Sequence, residues 1–332
     1  MANPLDESYA FCCRHARKTA KNFYYSFLGL PPRQFRSMCA LYSYMRVCDD
    51  IGDDETVPVS TRRVNLATWE SVVQKALTTS LQISPEREGT ALFETGHKVL
   101  PALRDLVDRY SIPHRYLVDV IRGVGMDLEG PFIQDGSPAF SGDISQRNQS
   151  FDCRYQTFDE LRDYCYHVAG VVGLCCIHVW GFSDKSAIER AIECGLAFQL
   201  TNILRDLGED VDNGRVYLPA EDLDRFEYSP SDIRLRVNDD RFQALMEFQV
   251  ARAEECYEKA RELFQYLEPS GRTILKAMVR IYGGLLGEIR KRNFDVYSRH
   301  ISLPIWQKML IAADAIIRHR FQRQPCKTAP EV

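Results

Sequence analysis

The sequence lacks any CxxC motif, and its cysteines number eleven, an odd count. Two pairs are adjacent in the chain, Cys12 with Cys13 and Cys175 with Cys176. Disulfide-stabilised secreted domains carry even sets of spaced cysteines, and structural zinc sites need closely spaced pairs of ligands. The cysteine pattern therefore disfavours both classes, and we expect the chain to work in a reducing, cytoplasmic environment.

An excess of positive charge and long apolar runs are also missing. Lys and Arg number 42 against 46 Asp and Glu, a net charge of −4, so no overall field attracts nucleic acid and we expect no nucleic-acid partner. The N-terminus carries acidic residues and no apolar segment typical of a signal peptide. The most apolar stretch, residues 168–182, is interrupted by His178 and is shorter than the roughly 20 residues of a membrane span. It predicts a buried helix.

The spacing of apolar residues predicts helices throughout the chain. Apolar residues recur mostly every three or four positions, and alternating strand-like runs are scarce. With 332 residues, 45% of them apolar, the chain can bury a large core. We predict an all-α, single-domain fold over residues 1–332. The predicted helices lie near 7–28, 33–53, 61–78, 88–110, 114–128, 158–180, 185–211, 240–267, 270–293 and 304–320.

Two connections, residues 129–157 and 212–238, are rich in Gly, Pro, Asp, Ser and Asn, which predicts exposed loops. The segment RGVGMDLEG has Gly123 and Gly125 in the spacing of a dinucleotide fingerprint. The third glycine position is Leu128, however, and no strand–helix–strand pattern surrounds it. We therefore expect no dinucleotide site there.

One face of the predicted helix at 33–53 carries a stripe of polar side chains. Tyr42, Arg46, Asp49 and Asp53 follow one another at intervals of four, three and four residues, so a helix with about 3.6 residues per turn aligns them. Two carboxylates one turn apart repel each other unless a cation lies between them. The alternative is a solvated acidic helix end, which is what a single acidic run usually is.

A second polar stripe lies on the predicted helix at 185–211. Arg205 stands beside this stripe, Arg215 follows the helix end, and Phe198 is expected to turn into the core. A polar stripe on an otherwise apolar helix indicates a ligand. The members of this stripe are Gln199, Asn202, Asp206 and Asp210, at intervals of three, four and four residues.

Together the two stripes favour a site for Mg²⁺ and a diphosphate. Mg²⁺ binds few protein carboxylates and completes its octahedron with waters and phosphate oxygens, and Mn²⁺ is an alternative ion. Arginine supplies bidentate contacts to phosphate. The predicted metal ligands are Asp49, Asp53, Asp206 and Asp210. The predicted diphosphate-binding residues are Arg46, Gln199, Asn202, Arg205 and Arg215.

Five ordered blocks of the sequence resemble a known family. YSYMRVCDDIGDD and QLTNILRDLGED resemble the two aspartate-rich signatures of the squalene and phytoene synthase family, which joins isoprenoid diphosphates head to head. KNFYYSFLGLP, YCYHVAGVVG and NGRVYLP resemble further blocks of that family, and the resemblance spans residues 18–302 or thereabouts. It implies a helical isoprenoid synthase bundle around a central active-site cavity and a prenyl-transferring enzyme with isoprenoid diphosphate substrates.

The resemblance also implies roles for aromatic residues. An allylic cation forms when the diphosphate leaves, and the negative face of an aromatic ring stabilises such a cation. The candidates for the reacting centre are Phe23, Tyr42, Tyr164 and Tyr282. The alternative for each of them is ordinary core packing.

A face with little side-chain bulk runs along the apolar helix predicted at 158–180. Gly170 and Gly173 lie one turn apart, with Ala169 and Val172 beside them, although glycine inside a helix costs about 1 kcal/mol against alanine. In the family this face lines the isoprenoid channel, so Ala169, Val172 and Gly173 are expected to contact substrate. The alternative is close packing between helices.

Within the family we expect farnesyl diphosphate as substrate, leading to presqualene diphosphate or squalene, with NADPH required only if the product is squalene. The alternative is a phytoene synthase that uses geranylgeranyl diphosphate. Head-to-tail elongation, terpene cyclisation and a non-catalytic helical scaffold are further alternatives. The two other enzyme classes are disfavoured because the blocks NILRDLGED and YCYHVAGVVG are peculiar to the head-to-head family. The scaffold is disfavoured because all four aspartates are present. Release of a lipid product implies contact with a membrane surface, and the sequence leaves the oligomeric state open.

Overall fold

The structure is a computed structural model that describes residues 3–20, 24, 27–78, 91–129 and 153–303. Within these residues the backbone forms helices and their connections, with one isolated antiparallel bridge between Phe182 and Leu267. This confirms the all-α prediction. In chain order the helices are α1 (Pro4–Thr19), α2 (Pro32–Gly52), α3 (Val59–Thr78), α4 (Ala91–Tyr110), α5 (His114–Leu128), α6 (Phe158–Cys165), a π turn (Tyr166–Gly170), α7 (Val171–Trp180), α8 (Ser186–Asp212), α9 (Ala220–Arg225), α10 (Pro230–Arg234), α11 (Asp240–Arg261), α12 (Leu263–Tyr266) and α13 (Pro269–Lys291).

Local sequence signals explain where several helices begin. Pro32 and Pro269 occupy the first turns of α2 and α13, where a missing amide hydrogen costs nothing. Thr157 and Glu160 form a capping box at the start of α6. The Asp239 side chain accepts hydrogen bonds from the first free amides of α11.

The structure corrects several predicted boundaries. The first predicted helix ends at Thr19 rather than near residue 28. The predicted helix at 158–180 is interrupted by the π turn. A π turn inserts one residue into the helical repeat, and this shift cannot be detected in a run in which most positions are apolar. The predicted loop at 212–238 contains α9 and α10, and the helix predicted at 240–267 divides into α11 and α12. The helix predicted at 304–320 lies outside the described residues.

Two clusters of buried side chains form the core, and α8 contributes to both. The first cluster joins α1 to α5 with α7 and takes Ala187, Ala191 and Cys194 from the N-terminal half of α8. The second joins α6, α11 and α13 with the C-terminal half of α8, from Leu196 onward. The second polar stripe therefore lies on the helix that links the two clusters.

Glycines allow α5 and α8 to approach the π turn at backbone distance. A Cβ atom on Gly123 of α5 would lie 2.8 Å from the carbonyl oxygen of His167, and one on Gly195 of α8 would lie 2.7 Å from Cα of Gly170. Any side chain at either position would therefore collide with backbone. Gly123 serves this packing, which agrees with the rejection of a dinucleotide loop in that segment.

Two arginines of α3 hold the ends of neighbouring helices. Arg62 donates a hydrogen bond of 2.9 Å to the carbonyl oxygen of Gly52, the last residue of α2. Arg63 donates one of 2.8 Å to the carbonyl oxygen of Leu128, the last residue of α5. Cationic side chains satisfy terminal carbonyls and offset the negative end of a helix. In the described part of the chain, no helix is both long enough and apolar enough to span a membrane.

The contact at Gly195 generates a stability prediction. Gly195→Ala should lower the free energy of unfolding by about 1–3 kcal/mol, because the added methyl group must displace backbone of the π turn. The measurement is urea unfolding followed by circular dichroism. Gly287→Ala on α13 is the matched control. No atom lies within 4 Å of its added methyl group, so its stability should stay equal or rise by up to about 1 kcal/mol. Equal stabilities of the two variants would contradict the packing described here.

Candidate active site

Three helices carry carboxylates close to their C-terminal ends. Asp49 lies in the last turn of α2 and Asp53 is the residue that caps it. Asp127 is the last residue but one of α5, and Asp210 is two residues from the end of α8. The C-terminus of a helix bears a partial negative charge. Carboxylates and helix ends of the same sign thus make a region that favours cations.

The electrostatics show that these helix ends face a common region. The pKa of Asp49 is raised to about 7, mainly by burial and also by the charges of Asp53 and Asp127. Burial likewise raises the pKa of Asp210 to about 7, with contributions from neighbouring Asp206 and again from Asp127. Charges interact strongly only over short distances. Asp127 is therefore close to carboxylates of both α2 and α8.

The positive charge of Arg215 lowers the pKa of two of these helix-end carboxylates. Burial raises the pKa of Asp53, while the positive charges of Arg46 and Arg215 lower it. Arg215 also lowers the pKa of Asp210, and its backbone amide donates to the Asp210 carbonyl oxygen at 2.8 Å. Arg215 thus lies within reach of both stripes, as expected for a residue that binds a diphosphate between them.

Asp127 is a site residue that the sequence analysis missed. Its carboxylate accepts hydrogen bonds from the Tyr164 hydroxyl, at 3.1 Å to each oxygen, and from the Tyr217 hydroxyl at 2.9 Å. Arg154 lies 3.8 Å from the same carboxylate. Asp127 follows Gly123 by one helical turn, and the approach of Gly123 to the π turn, which the sequence does not reveal, brings Asp127 towards Tyr164.

A group of three tyrosine rings surrounds this carboxylate. The rings of Tyr164 and Tyr217 stack at 5.3 Å, and the ring of Tyr155 lies 5.4 Å from Tyr164. Burial and the charge of Asp127 raise the pKa of Tyr164 far above its usual value, so its hydroxyl stays protonated. Tyr164 was predicted at the site, whereas Tyr155 and Tyr217 were not. Tyr217 lies within NGRVYLP, which was noted only as a block.

The arginine of the first stripe forms an ion pair with a carboxylate outside the stripe. Arg46 lies 2.5 Å from Asp50 one turn further along α2, so its guanidinium partner in the described structure is Asp50 rather than Asp49 or Asp53. Tyr42 is partly buried and packs against the first cluster. Phe23, the remaining aromatic candidate near α2 in sequence, lies outside the described residues.

The second stripe is partly exposed on a helix whose other faces are buried. Arg205 forms an ion pair with Asp206, donating from Nε to Oδ1 at 2.7 Å. The Asn202 amide donates to Gln199 at 3.3 Å. Asn202 Oδ1 is buried and has no hydrogen-bond partner among the described residues. An unpaired buried acceptor is costly, and a metal ion or a donor group of a ligand would satisfy it.

An aromatic pair borders this stripe. The rings of Phe198 and Tyr282 stack at 4.5 Å, and both residues are partly exposed. Burial raises the pKa of Tyr282, and the nearby groups of Arg205, Asp206 and Asn202 also affect this pKa. As predicted, Phe198 packs against both buried clusters, and its ring also stands beside Tyr282 at the edge of the polar stripe.

The three residues predicted to line the channel are all partly exposed. Ala169 and Val172 are partly exposed within the most apolar segment of the chain. A Cβ atom on Gly173, however, would lie 3.2 Å from the carbonyl oxygen of Ala191 on α8. Gly173 is itself partly exposed, so all three residues stay candidates for substrate contact, and Gly173 in addition lets this helix approach α8 closely.

Comparison with known proteins adds independent support. A family model described as squalene/phytoene synthase matches residues 16–307. The 15-cis-phytoene synthase of Synechocystis is 32% identical over 95% of this chain and 86% of its own length. The phytoene synthase of Arthrospira platensis is 32% identical over 95% and 94%, and that of Mycobacterium tuberculosis is 29% identical over 94% and 91%.

This chain belongs to the squalene/phytoene synthase family. The family resemblance seen in the sequence is confirmed, and with it the prediction of an enzyme that transfers prenyl groups by head-to-head condensation. Two solved structures share the fold: a dehydrosqualene synthase in complex with a ligand, 24% identical with a TM-score of 0.73 over 96% of this chain and 100% of that one, and the squalene synthase from Alicyclobacillus acidocaldarius, 22% identical with a TM-score of 0.70 over 88% and 99%.

One further cluster involves the second aspartate signature of the family. Ligand atoms of Asp206, Glu209 and His300 lie within 4.8 Å of one another. His300 reaches this position because the segment after α13 packs on α8 at Gly208, where a Cβ atom would lie 3.3 Å from the ring of Tyr297. No spacing rule connects residues 206 and 300, so sequence reasoning had no means of finding the cluster.

The raised carboxylate pKa values predict how stability depends on pH. Between the usual carboxylate pKa near 4 and about 7, folded protein holds more protons on Asp49 and Asp210 than unfolded protein does. In the metal-free protein, the free energy of unfolding should therefore fall as pH rises from about 5 to about 8. The measurement is urea unfolding with EDTA across this range. The control is Asp49→Asn/Asp210→Asn, whose slope should be shallower, and equal slopes would contradict the assignment.

Proposed function

We propose that this enzyme condenses two molecules of geranylgeranyl diphosphate to phytoene without NADPH. The observation that carries the choice of product is that the relatives above are named phytoene synthases and match over nearly the whole chain. They favour the alternative weighed from the sequence over its first expectation, farnesyl diphosphate. The dehydrosqualene and squalene synthases of known structure are each less than 25% identical to this chain, so they support its fold and not its substrate.

The carboxylates fit a divalent ion. Their donors are oxygens, which Mg²⁺ and Mn²⁺ prefer. Burial and neighbouring carboxylates raise the pKa values of Asp49 and Asp210, so a bound cation would stabilise their ionised forms. The buried, unpaired oxygen of Asn202 adds a further ligand atom. We assign the metal to Asp49, Asp53, Asp206 and Asp210. When bound, it supplies Lewis-acid neutralisation of the leaving diphosphate.

Arginines of the chain bind the diphosphate in this proposal. Arg215 lies within electrostatic reach of Asp53 on α2 and Asp210 on α8, so it can hold a phosphate group between the two stripes. Arg46 and Arg205 each have one carboxylate partner in the described structure. A bidentate phosphate offers each of them a second anionic partner of matching geometry.

Aromatic and apolar side chains protect the allylic cation in this proposal. The pair formed by Phe198 and Tyr282 borders the second stripe, and its ring faces can stabilise positive charge. Ala169 and Val172 supply partly exposed apolar surface that excludes water from the reacting carbons. The same surface suits a substrate whose reacting end is anionic and whose tail is a hydrocarbon.

Asp127 positions the rings of Tyr164 and Tyr217 in this proposal. Both hydroxyl groups donate to its carboxylate, and the high pKa of Tyr164 keeps the proton on its hydroxyl oxygen. The two rings are thereby held stacked and neutral at the edge of the carboxylate region. A tyrosine fixed in this way offers its ring face and its hydroxyl oxygen to a developing cation.

Identification of the product tests the proposed function. Purified enzyme is incubated with Mg²⁺ and either geranylgeranyl or farnesyl diphosphate, each with and without NADPH, and lipids are identified by mass spectrometry. We expect a forty-carbon phytoene from geranylgeranyl diphosphate, independent of NADPH. A thirty-carbon product as the principal lipid would restore the farnesyl alternative, and no lipid from either substrate would favour a non-catalytic protein.

Replacement of the aspartates tests the metal assignment. Asp49→Asn and Asp206→Asn should each lower kcat/KM by about 100-fold or more, as expected when charge stabilisation of the leaving group is lost. Asp49→Asn should not lower the melting temperature of the metal-free protein, because it removes a buried charge repelled by its neighbours. Asp206→Asn should lower it slightly, because it leaves Arg205 without its ion-pair partner. Asp108→Asn is the control, since Asp108 is 63% exposed on α4, 3.8 Å from Arg104. Near-normal activity of either site variant would remove that residue from the assignment.

A further inference from the structure

The chain between α8 and α9 passes the carboxylate site. The Arg215 amide donates to the carbonyl oxygen of Asp210 at 2.8 Å, which fixes the start of this segment on α8. Two residues later, the Tyr217 hydroxyl donates to Asp127 at 2.9 Å. The backbone then enters α9 through Pro219. The place of Tyr217 at the site therefore depends on how α9 is held at the other end of the segment.

Helix α9 also holds the chain that leads into α6. The amide of Ala220 donates to the carbonyl oxygen of Tyr155 at 2.9 Å. The carboxylate of Glu221 accepts a hydrogen bond of 2.6 Å from the amide of Phe158, the first residue of α6. Tyr155 is one of the three tyrosines of the site, and α6 carries another, Tyr164. The position of α9 is thus linked to all three rings.

A buried ion pair holds α9 on α11. Asp222 of α9 is only 3% exposed, and the guanidinium of Arg252 on α11 binds both of its carboxylate oxygens, with Nη2 donating to Oδ1 at 3.0 Å and Nη1 to Oδ2. Gln249, one turn earlier on α11, donates to Oδ2 at 2.8 Å and accepts from Arg252 at 3.1 Å. Three donors and a full positive charge therefore satisfy this buried carboxylate.

The same guanidinium also packs against aromatic rings. Its central carbon lies 3.9 Å from the ring centre of Phe158 and 4.6 Å from that of Phe248. A planar guanidinium can hydrogen-bond in its plane and stack on a ring at the same time, which a lysine ammonium cannot do. Arg252 thus joins three helices: its own α11, α9 through Asp222, and the start of α6 through Phe158.

We propose that Asp222 and Arg252 are positioning residues for prenyl transfer. They hold α9 and the start of α6 in the one arrangement that places the group of three tyrosines around Asp127. Their effect on the rate rests on the role proposed above for Tyr164 and Tyr217, whereas the placement of the rings does not.

Direction rather than strength distinguishes this pair from an apolar contact. A buried ion pair pays a large desolvation cost, so apolar side chains of similar volume often stabilise a fold equally well. Apolar side chains, however, do not fix the angle between two helices as a two-point hydrogen bond does. Replacing the buried polar group as a whole therefore separates the placement of α9 from the stability of the protein.

The test replaces Asp222, Gln249 and Arg252 together by Leu, Leu and Met, since a buried Gln249 left alone would lose its partners. The melting temperature should stay near that of the native protein. The near-ultraviolet circular dichroism lost in Tyr217→Phe defines the signal of the tyrosine group, and the apolar triple variant should lose this signal although it keeps every tyrosine. With whichever isoprenoid diphosphate the enzyme converts, kcat should fall about tenfold or more and KM should change less, as expected for misplaced groups that act in the transition state.

An exposed ion pair on the same helix provides the matched control. Arg290 of α13 lies 2.7 Å from Glu254 of α11, and Glu254→Leu/Arg290→Met should change neither the tyrosine signal nor kcat. Arg252→Lys is the second variant. It keeps the charge that neutralises Asp222 but loses the planar fork, so it should fold and lose part of both the signal and kcat. If the triple variant melts well below the native protein, Arg252→Lys decides alone.

The outcomes for the pair and for the proposed function are distinct. A native tyrosine signal and native kcat in Arg252→Lys, or in a stably folded triple variant, would overturn the positioning role. A native kcat in Tyr217→Phe would instead contradict the role proposed for that ring. Loss of the tyrosine signal in the triple variant would then still support its placement by Asp222 and Arg252.

Discussion

Repulsion among carboxylates at three converging helix ends is the constraint on which the site depends. Asp49, Asp127 and Asp210 lie near the C-termini of α2, α5 and α8, where the helix dipoles add negative potential. The folded chain tolerates this charge in two ways. Raised pKa values let Asp49 and Asp210 hold protons near neutral pH, and arginines pair with neighbouring carboxylates. A bound cation would offset the repulsion among these carboxylates, so the region suits a cation-binding site.

Convergence of the helices depends in turn on positions without side chains. Gly123 and Gly195 let α5 and α8 meet the backbone of the π turn from different helices, and Gly52 lets α2 meet Val124 of α5. The π turn ends at Gly170 and separates Tyr164 on α6 from Val172 on α7. The tyrosine that binds Asp127 and the apolar surface offered to substrate are thus placed by one irregular segment. Such π insertions are frequent at functional sites.

The sequence predicted those features of the fold and site that depend on residues close together in the chain. The stripes at Tyr42–Asp53 and Gln199–Asp210 needed only the helical repeat, and the all-α fold needed only the spacing of apolar residues. Asp127 and His300 were missed because their partners are distant in sequence: Asp127 binds Tyr217, 90 residues away. Substrate length depends on tertiary packing, so the proposed geranylgeranyl substrate rests on the relatives rather than on residue spacing.

Under the proposed metal assignment, the arginine partners couple metal binding to diphosphate binding. Arg205 is engaged by Asp206 and Arg46 by Asp50, and Asp206 is itself an assigned metal ligand. A metal that takes the carboxylate of Asp206 leaves Arg205 with an unpaired charge, which is unfavourable for a side chain only about one-fifth exposed. A phosphate group supplies the replacement anion. Conversely, a diphosphate that takes Arg205 leaves Asp206 without its cation. Each ligand therefore creates the binding partner of the other, and the ion pairs of the free enzyme keep both groups in place until the two arrive together.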